Sequence, residues 1–272
     1  MEAKLYHLQD VIKSTGSLLI AFSGGVDSTL LLKVARDTLG DKVVAVTARS
    51  LTYSTDEFNE AREIADGLGV KHITIVSEEL DIPGFSDNPP DRCYYCKKEL
   101  FSKLIETARQ EGLNYVADGC NLDDDNDFRP GTRAAIELGI RSPLKEAGLT
   151  KEDVRSLSKK LGLPTWNKPA LACLASRFPY GNAITREGLE MVSQAEDFLH
   201  GLGLKQLRVR HYDNLARIEV PVEDIEQIFS KDLRTRIVAK LKEIGYTYIT
   251  LDLQGYRSGS MNETLGMKTT QY

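Results

Sequence analysis

The 272-residue chain carries 35 basic and 40 acidic residues, a formal net charge of -5, with 41% hydrophobic residues and 9 prolines. That composition fits one large globular domain or a larger and a smaller one, and excludes collagen-like and disordered classes. No apolar run approaches the ~18 residues of a membrane span, and the N-terminus lacks the charged start and apolar stretch of a signal peptide, so the sequence reads as cytoplasmic and not membrane-bound. In that reducing compartment the four cysteines are expected in metal or catalytic roles, not in stable disulfides. From Pro169 onward 13 basic residues balance 13 acidic ones, which leaves no broad basic face for nucleic acid.

In chain order, "SLLIAF" (17–22) reads as a buried strand, "STLLLKVARDTLG" (28–40) as a helix ended by glycine and "KVVAVTARS" (42–50) as the next strand. "STDEFNEAREIADGLG" opens on a capping box from Ser54 to Glu57, and "KHITIVS" (71–77) is a third strand. A cysteine-bearing helix follows Pro89, Pro90 and an N-cap at Asp91; then come a strand at "NYVADG" (114–119) and a helix at 151–163. Strands alternating with helices imply an α/β fold with a mostly parallel sheet flanked by helices. After "PTWNKPA" the order changes to a helix (186–201), strands "QLRVRHY" and "LARIEV", a helix near 222–243 and the strand "YTYITLDL". This pattern predicts a smaller α+β domain at 169–272, for substrate binding or oligomerisation, behind a first domain at 1–168.

"AFSGGVDST" lies at the carboxyl end of the first strand and the start of a helix, where parallel sheets place ligands. Gly24 and Gly25 permit a sharp turn with outward N–H groups, Ser23 and Ser28 add hydroxyls, and the helix dipole favours an anion. No lysine follows as in a Walker A loop, and the dinucleotide spacing is missing. A carboxylate at Asp27 suits such a cradle if Mg²⁺ lies between it and the phosphates. "SGGVDS" resembles the PP-loop of the ATP pyrophosphatases. The resemblance implies ATP cleaved to AMP and pyrophosphate, with AMP placed on a substrate oxygen, and puts Ala48, Arg49 and Ser50 beside the nucleoside.

Cys93 and Cys96 share one helix face at a first turn, where the dipole favours thiolates. Cys173 lies just past the domain boundary. Zinc prefers four ligands, whereas three thiolates leave an open corner that suits a [4Fe-4S] cluster. Cys120, as a fourth ligand, would close it.

Beyond the loop, "DGCNLDDDNDFRPG", "WNKPALACLASRFPYG", "RVR", "ARIE" and "GYRSGSMN" resemble the LarE family over nearly the whole chain. These are ATP-dependent sulfur transferases that make the nickel-pincer nucleotide of lactate racemase. The resemblance implies adenylation of the carboxylates of pyridinium-3,5-biscarboxylic acid mononucleotide and their conversion to thiocarboxylates. Cys93, Cys96 and Cys173 together imply the cluster-bearing kind, fed by sulfide or another sulfur donor; sacrificial loss of sulfur from Cys173 is the alternative. A homo-oligomer, a hexamer, is also implied. Alternation places Arg208 and Arg210 on one outward strand face, with Arg217 and Glu219 sharing a face of the next. On spacing alone this is a solvated face or a phosphate grip; the resemblance tips it to the substrate phosphate, with Arg177 and Arg257 as further candidates. Asp127 and Arg129 match a family stretch that orders a loop. The four histidines show no ligand spacing. Two rivals remain, a tRNA thiolase, which requires a basic surface, and a non-catalytic nucleotide-binding or zinc-stabilised protein.

Overall fold

The computed structural model describes residues 2–126, 129–169, 172–257 and 259–266, which fall into two compact units. The first comprises Met1–Ile82 and Asp91–Leu171, the second Pro83–Pro90 and Ala172–Tyr272. Asp127 lies outside the described residues.

In the first unit, α1 (Glu2–Lys13) precedes β1 (Leu18–Ala21), α2 (Val26–Leu39), β2 (Val43–Arg49), α3 (Thr55–Gly67) and β3 (Lys71–Val76). After the excursion at 83–90 come α4 (Arg92–Gln110), β4 (Tyr115–Ala117), α5 (Gly131–Glu137), α6 (Pro143–Glu146) and α7 (Lys151–Lys160). The four strands are parallel, in the order β3-β2-β1-β4. Alternation along β1 fills both sides of the sheet. Leu18 and Ile20 pack with Leu30, Leu31 and Val34 of α2 and with Leu8 and Ile12 of α1. Leu19 packs on the other side with Val44, Val46, Phe101, Leu104 and Ala134. Each of these fully buried leucines contributes about 2 kcal/mol by leaving water.

The chain steps from β1 to β2 to β3 in one direction, then crosses to β4 on the far side of β1. The switch point is therefore between β1 and β4, and a crevice opens outside their carboxyl ends. The loop after β1 and the turn after β4 face each other there. Helix α2 begins at Val26, two residues ahead of the expected start, so Asp27 and Ser28 lie in its first turn. Helix α7 starts on a full capping box, Thr150 with Asp153. At α3, Ser54 Oγ accepts from Glu57 N as expected. At α4, Asp91 holds the cap position but its side chain makes no cap bond.

The second unit contains α8 (Arg186–Gly201), β5 (Arg208–Tyr212), β6 (Leu215–Glu219), α9 (Ile225–Ile228), α10 (Lys231–Ile244) and β7 (Tyr248–Leu251). β5 and β6 are antiparallel, and β6 and β7 parallel. Leu207, Val209, Ala216 and Ile218 build its core with Leu199, Leu241 and Tyr246. The single helix expected near 222–243 is broken, because Ser230 takes an extended ψ of 138° between α9 and α10. Residues 83–90 join this unit through Asn88, whose amide donates to the Phe178 and Pro179 carbonyls at 3.1 and 2.7 Å. His211 is structural: buried against Phe178, with Nδ1 3.0 Å from the Tyr246 hydroxyl, it is held below its usual pKa by burial. No helix among the described residues is long and apolar enough to cross a membrane.

Candidate active site

The loop after β1 is shaped by two close backbone approaches. Gly24 has φ +67°, and a Cβ there would lie 3.0 Å from Cα of Ala61 in α3. Only glycine fits both the left-handed conformation and the contact. On the other side, a Cβ on Gly119, in the turn after β4, would meet the Ser28 backbone nitrogen at 3.0 Å. Two glycines thus bring α3 and the β4 turn onto the same loop.

Gly25 takes the N-cap of α2 in extended conformation (φ -80°, ψ 169°) and no side chain caps the helix. The first-turn N–H groups are therefore left for another acceptor, and the helix dipole adds partial positive charge. Ser23 and Ser28 hydroxyls sit 3.2 Å apart, Ser28 Oγ donates to Gly25 O at 3.3 Å, and Gly25 N reaches Ser23 Oγ at 3.4 Å. These lie at the long end for hydrogen bonds, so a phosphate oxygen could replace them at little cost.

Asp27 is the organised charge of the loop. Its Oδ2 accepts from Lys151 Nζ at 2.5 Å and its Oδ1 from Asn121 Nδ2 at 3.0 Å. Asn121, 1% exposed, is fixed in turn by its Oδ1 accepting from Asp123 N and its own N donating to Asp124 Oδ2. Burial raises the Asp124 pKa, while its ion pair with Arg129 works against that rise. Lys151 carries no motif signal, and Asn121 lies in the 118–131 family stretch with no role assigned by it; the three-dimensional crossing at the switch point brings both to Asp27.

Beside the loop, Ser50 is anchored at the end of β2. Its hydroxyl donates to Glu79 Oε2 at 2.5 Å and accepts from Thr52 N at 2.9 Å. Glu79 is 3% exposed and its pKa is raised by burial against the Ser50 bond. Ala48 is half-buried and Arg49 exposed at the same strand end.

Cys93 and Cys96 are half-buried on the first turns of α4, and none of the four cysteines is in a disulfide. A [4Fe-4S] cluster asks for three thiolates. In the first unit no third described His, Cys, Asp or Glu side chain joins this pair in a metal-holding group. Cys120 is occupied elsewhere: its Sγ–H donates to Asp118 Oδ2 at 3.1 Å, while Ser142 donates to Asp118 Oδ1 at 2.7 Å. Burial, with the Asp118 charge behind it, pushes the Cys120 thiol up to about 12. At pH 8 it is a neutral donor, with a thiolate fraction on the order of 10⁻⁴. Iodoacetamide at pH 8 should therefore leave Cys120 unmodified in the native protein and modify it after unfolding, as mapped by peptide mass. Native labelling at the rate of an ordinary thiol would contradict this assignment.

In the second unit, the turn bearing Cys173 is gripped from within. Arg177 Nη1 donates to the Ala172 and Cys173 carbonyls at 2.7 and 3.2 Å, and its Nε and Nη2 pair with both oxygens of Glu196. Arg210 donates to both oxygens of Glu219, to Ser176 O at 2.7 Å and to Ser260 Oγ at 2.9 Å. Tyr180 completes the tie by donating to Asn262 Oδ1. Arg208 and Arg210 are each 8% exposed, so of the two readings left open by alternation the solvated face does not hold. The segment around Ser176 and Ser260 covers it. Burial, followed by the Arg177 charge, pulls the Arg208 guanidinium below its usual pKa, a situation that an anion would relieve. Arg257 is largely buried, 3.3 Å from Glu263 and 3.7 Å from Asp252.

The asparagine synthase family model matches residues 9–111, the span of β1 to β3 and α4. The chain is 42% identical to the pyridinium-3,5-bisthiocarboxylic acid mononucleotide synthase of Lactiplantibacillus plantarum, over 93% of this chain and 92% of that one. An uncharacterized protein of Synechocystis is 46% identical, over 97% of this chain and 99% of its own. More distant is a tRNA-specific 2-thiouridylase of Azorhizobium caulinodans, 27% identical over 67% of this chain and 57% of its own.

Proposed function

The chain belongs to the LarE family of PP-loop sulfur transferases, and from that premise we propose that it thiolates pyridinium-3,5-biscarboxylic acid mononucleotide at the expense of ATP. In this reading a substrate carboxylate oxygen attacks the α-phosphorus of ATP and pyrophosphate departs. The acyl adenylate then accepts a sulfur nucleophile, AMP leaves, and a thiocarboxylate remains. The product would serve the nickel-pincer cofactor of lactate racemase.

The observation that carries this is the constellation at the switch point: an uncapped glycine turn with Asp27 bound by Lys151 across from it. Backbone N–H groups of Gly25 and the first turn of α2 would take the charge that develops on departing pyrophosphate, with Ser23 and Ser28 as hydroxyl donors. Lys151, free to pivot on its long stem, would share itself between Asp27 and a phosphate oxygen. Mg²⁺ in nucleotide sites is held by one or two carboxylates plus phosphates and water, and Asp27, partly exposed in the first turn, is a carboxylate of that kind. Ala48, Arg49 and Ser50 would flank the nucleoside, the last held by Glu79. For the substrate phosphate the candidates are Arg177, Arg208, Arg210 and Arg257; burial and the Arg177 charge pull Arg208 below its usual pKa, which a bound anion would relieve. Arg177, Arg210 and Arg257 are also held by carboxylates, which fixes their position in the site.

Sulfur delivery has two candidate routes: the cluster read from Cys93, Cys96 and Cys173, or loss of sulfur from Cys173 itself. The test starts with protein purified without oxygen. Adding ATP and the pyridinium dicarboxylate should give AMP, pyrophosphate and a product with sulfur in place of oxygen; no AMP would overturn the reading. Bound iron and sulfide with unchanged protein mass would support the cluster. Metal-free protein that ends with dehydroalanine at Cys173 would support sacrifice.

A further inference from the structure

Lys168 lies in the stretch that leaves the first unit, and nothing in the glycine motif points to it. Its side chain is 14% exposed, and Nζ donates to Gly24 O at 3.2 Å and to Glu60 Oε2 at 2.6 Å. A lysine of such length is placed this way only if its backbone is held. Arg155 of α7 does so, donating Nη1 to Trp166 O at 3.0 Å and Nη2 to Lys168 O at 2.9 Å. Lys159 of the same helix stands 4.6 Å over the Trp166 ring. Helix α7 therefore serves the loop twice, through Lys151 at its first residue and through the segment it straps down.

The peptide between Gly24 and Gly25 is trans and planar, so its carbonyl and its N–H point in opposite directions. A carbonyl drawn outward to Lys168 turns the Gly25 N–H the other way, toward Ser23 Oγ and the hydroxyl cluster. Glycine at both positions makes this peptide easy to flip, and a flipped peptide would present an oxygen to the anion. Ala61 blocks one side of Gly24 by contact, but contact does not set the direction of a dipole. The ammonium does.

We infer that Lys168 is a positioning residue of the phosphate loop, holding the Gly24 carbonyl outward so that the Gly25 N–H stays turned into the cradle. The inference rests on the ATP-using reading above. It concerns the pyrophosphate end of the nucleotide and leaves the adenosine end untouched.

The test compares wild type, Lys168→Met and Lys168→Arg as full-length proteins, with Mg-ATP, inorganic pyrophosphate and AMP as calorimetric titrants. Lys168→Met should bind ATP and pyrophosphate about ten-fold more weakly, the loss of one charge-assisted hydrogen bond, with AMP affinity within two-fold. Lys168→Arg should recover most of the loss. Arg155→Met should weaken the same two ligands, and the double variant Arg155→Met/Lys168→Met should be no weaker than Lys168→Met alone, since both act through one peptide. Equal loss of AMP affinity, or no rescue by arginine, would reduce Lys168 to a general structural contact and overturn the inference. Unchanged pyrophosphate affinity in Lys168→Met would overturn it directly. Wild-type protein that binds neither ATP nor pyrophosphate would instead defeat the functional reading itself.

Discussion

Asp27→Asn should slow pyrophosphate release by roughly 10²–10³-fold, the loss typical of removing one preorganised electrostatic contact from a reaction centre. The substitution keeps size and shape but takes away the charge that holds Lys151 Nζ at 2.5 Å. It also faces one of two donors, Lys151 or Asn121, with an amide NH₂ that has nothing to accept. Stability should barely change. The Asp27 and Lys151 side chains are 22% and 34% exposed, and ion pairs so placed contribute about 0–1 kcal/mol. Separation of the two effects is the informative result. Lys151→Met should fall in the same range, and the double variant should be much less impaired than the product of the two losses, because both groups serve one contact. Initial rates of pyrophosphate release under saturating substrate, with thermal midpoints of each protein, check this. A rate within three-fold of wild type would remove Asp27 from the chemistry.

The contrast between Asp27 and Lys151 shows what a linear chain discloses. Ser23 to Ser28 announce themselves because a buried strand, a glycine turn and a helix are contiguous, and their geometry is local. Helix α8 was legible end to end, Arg186–Gly201, because its Thr185 cap and terminal glycine flank an amphipathic run. Lys151 and Asn121 lie 124 and 94 residues from Asp27, and "LTKEDV" reads as an ordinary helix start until the crossing to β4 places it at the loop. Lys168 falls in the 166–181 family stretch, but its tie to the Gly24 carbonyl, 144 residues away, shows only in three dimensions. For Arg208 and Arg210 the limit is different: a period of two assigns faces of a strand but not what covers them. Ser176 and Ser260 lie against the Arg210 guanidinium on that face, and Glu219 compensates its charge.

That buried compensation sets the second large effect, on the second unit. Glu219→Ala should destabilise it by about 3–5 kcal/mol, the usual result of deleting one partner of a buried ion pair. Glu219 is fully buried and accepts from Arg210 Nε at 3.0 Å, Arg210 Nη2 at 2.8 Å and Arg217 Nη2 at 2.9 Å. Its loss leaves the buried Arg210 guanidinium without this counter-charge. Water cannot easily reach it, so the desolvation cost is no longer offset. Amide hydrogen exchange of β5 and β6 in the full chain reads this locally, and urea unfolding reads it globally. Replacing both partners by apolar residues, Arg210→Met with Glu219→Leu, should restore most of the stability, since no buried charge remains between them. It should not restore order around Cys173, because Arg210 also donates to Ser176 O and Ser260 Oγ. Exchange at 173–181 would then stay fast while β5 recovers. If Glu219→Ala costs less than about 1 kcal/mol, the carboxylate is not what holds Arg210, and its ties to Ser176 and Ser260 suffice.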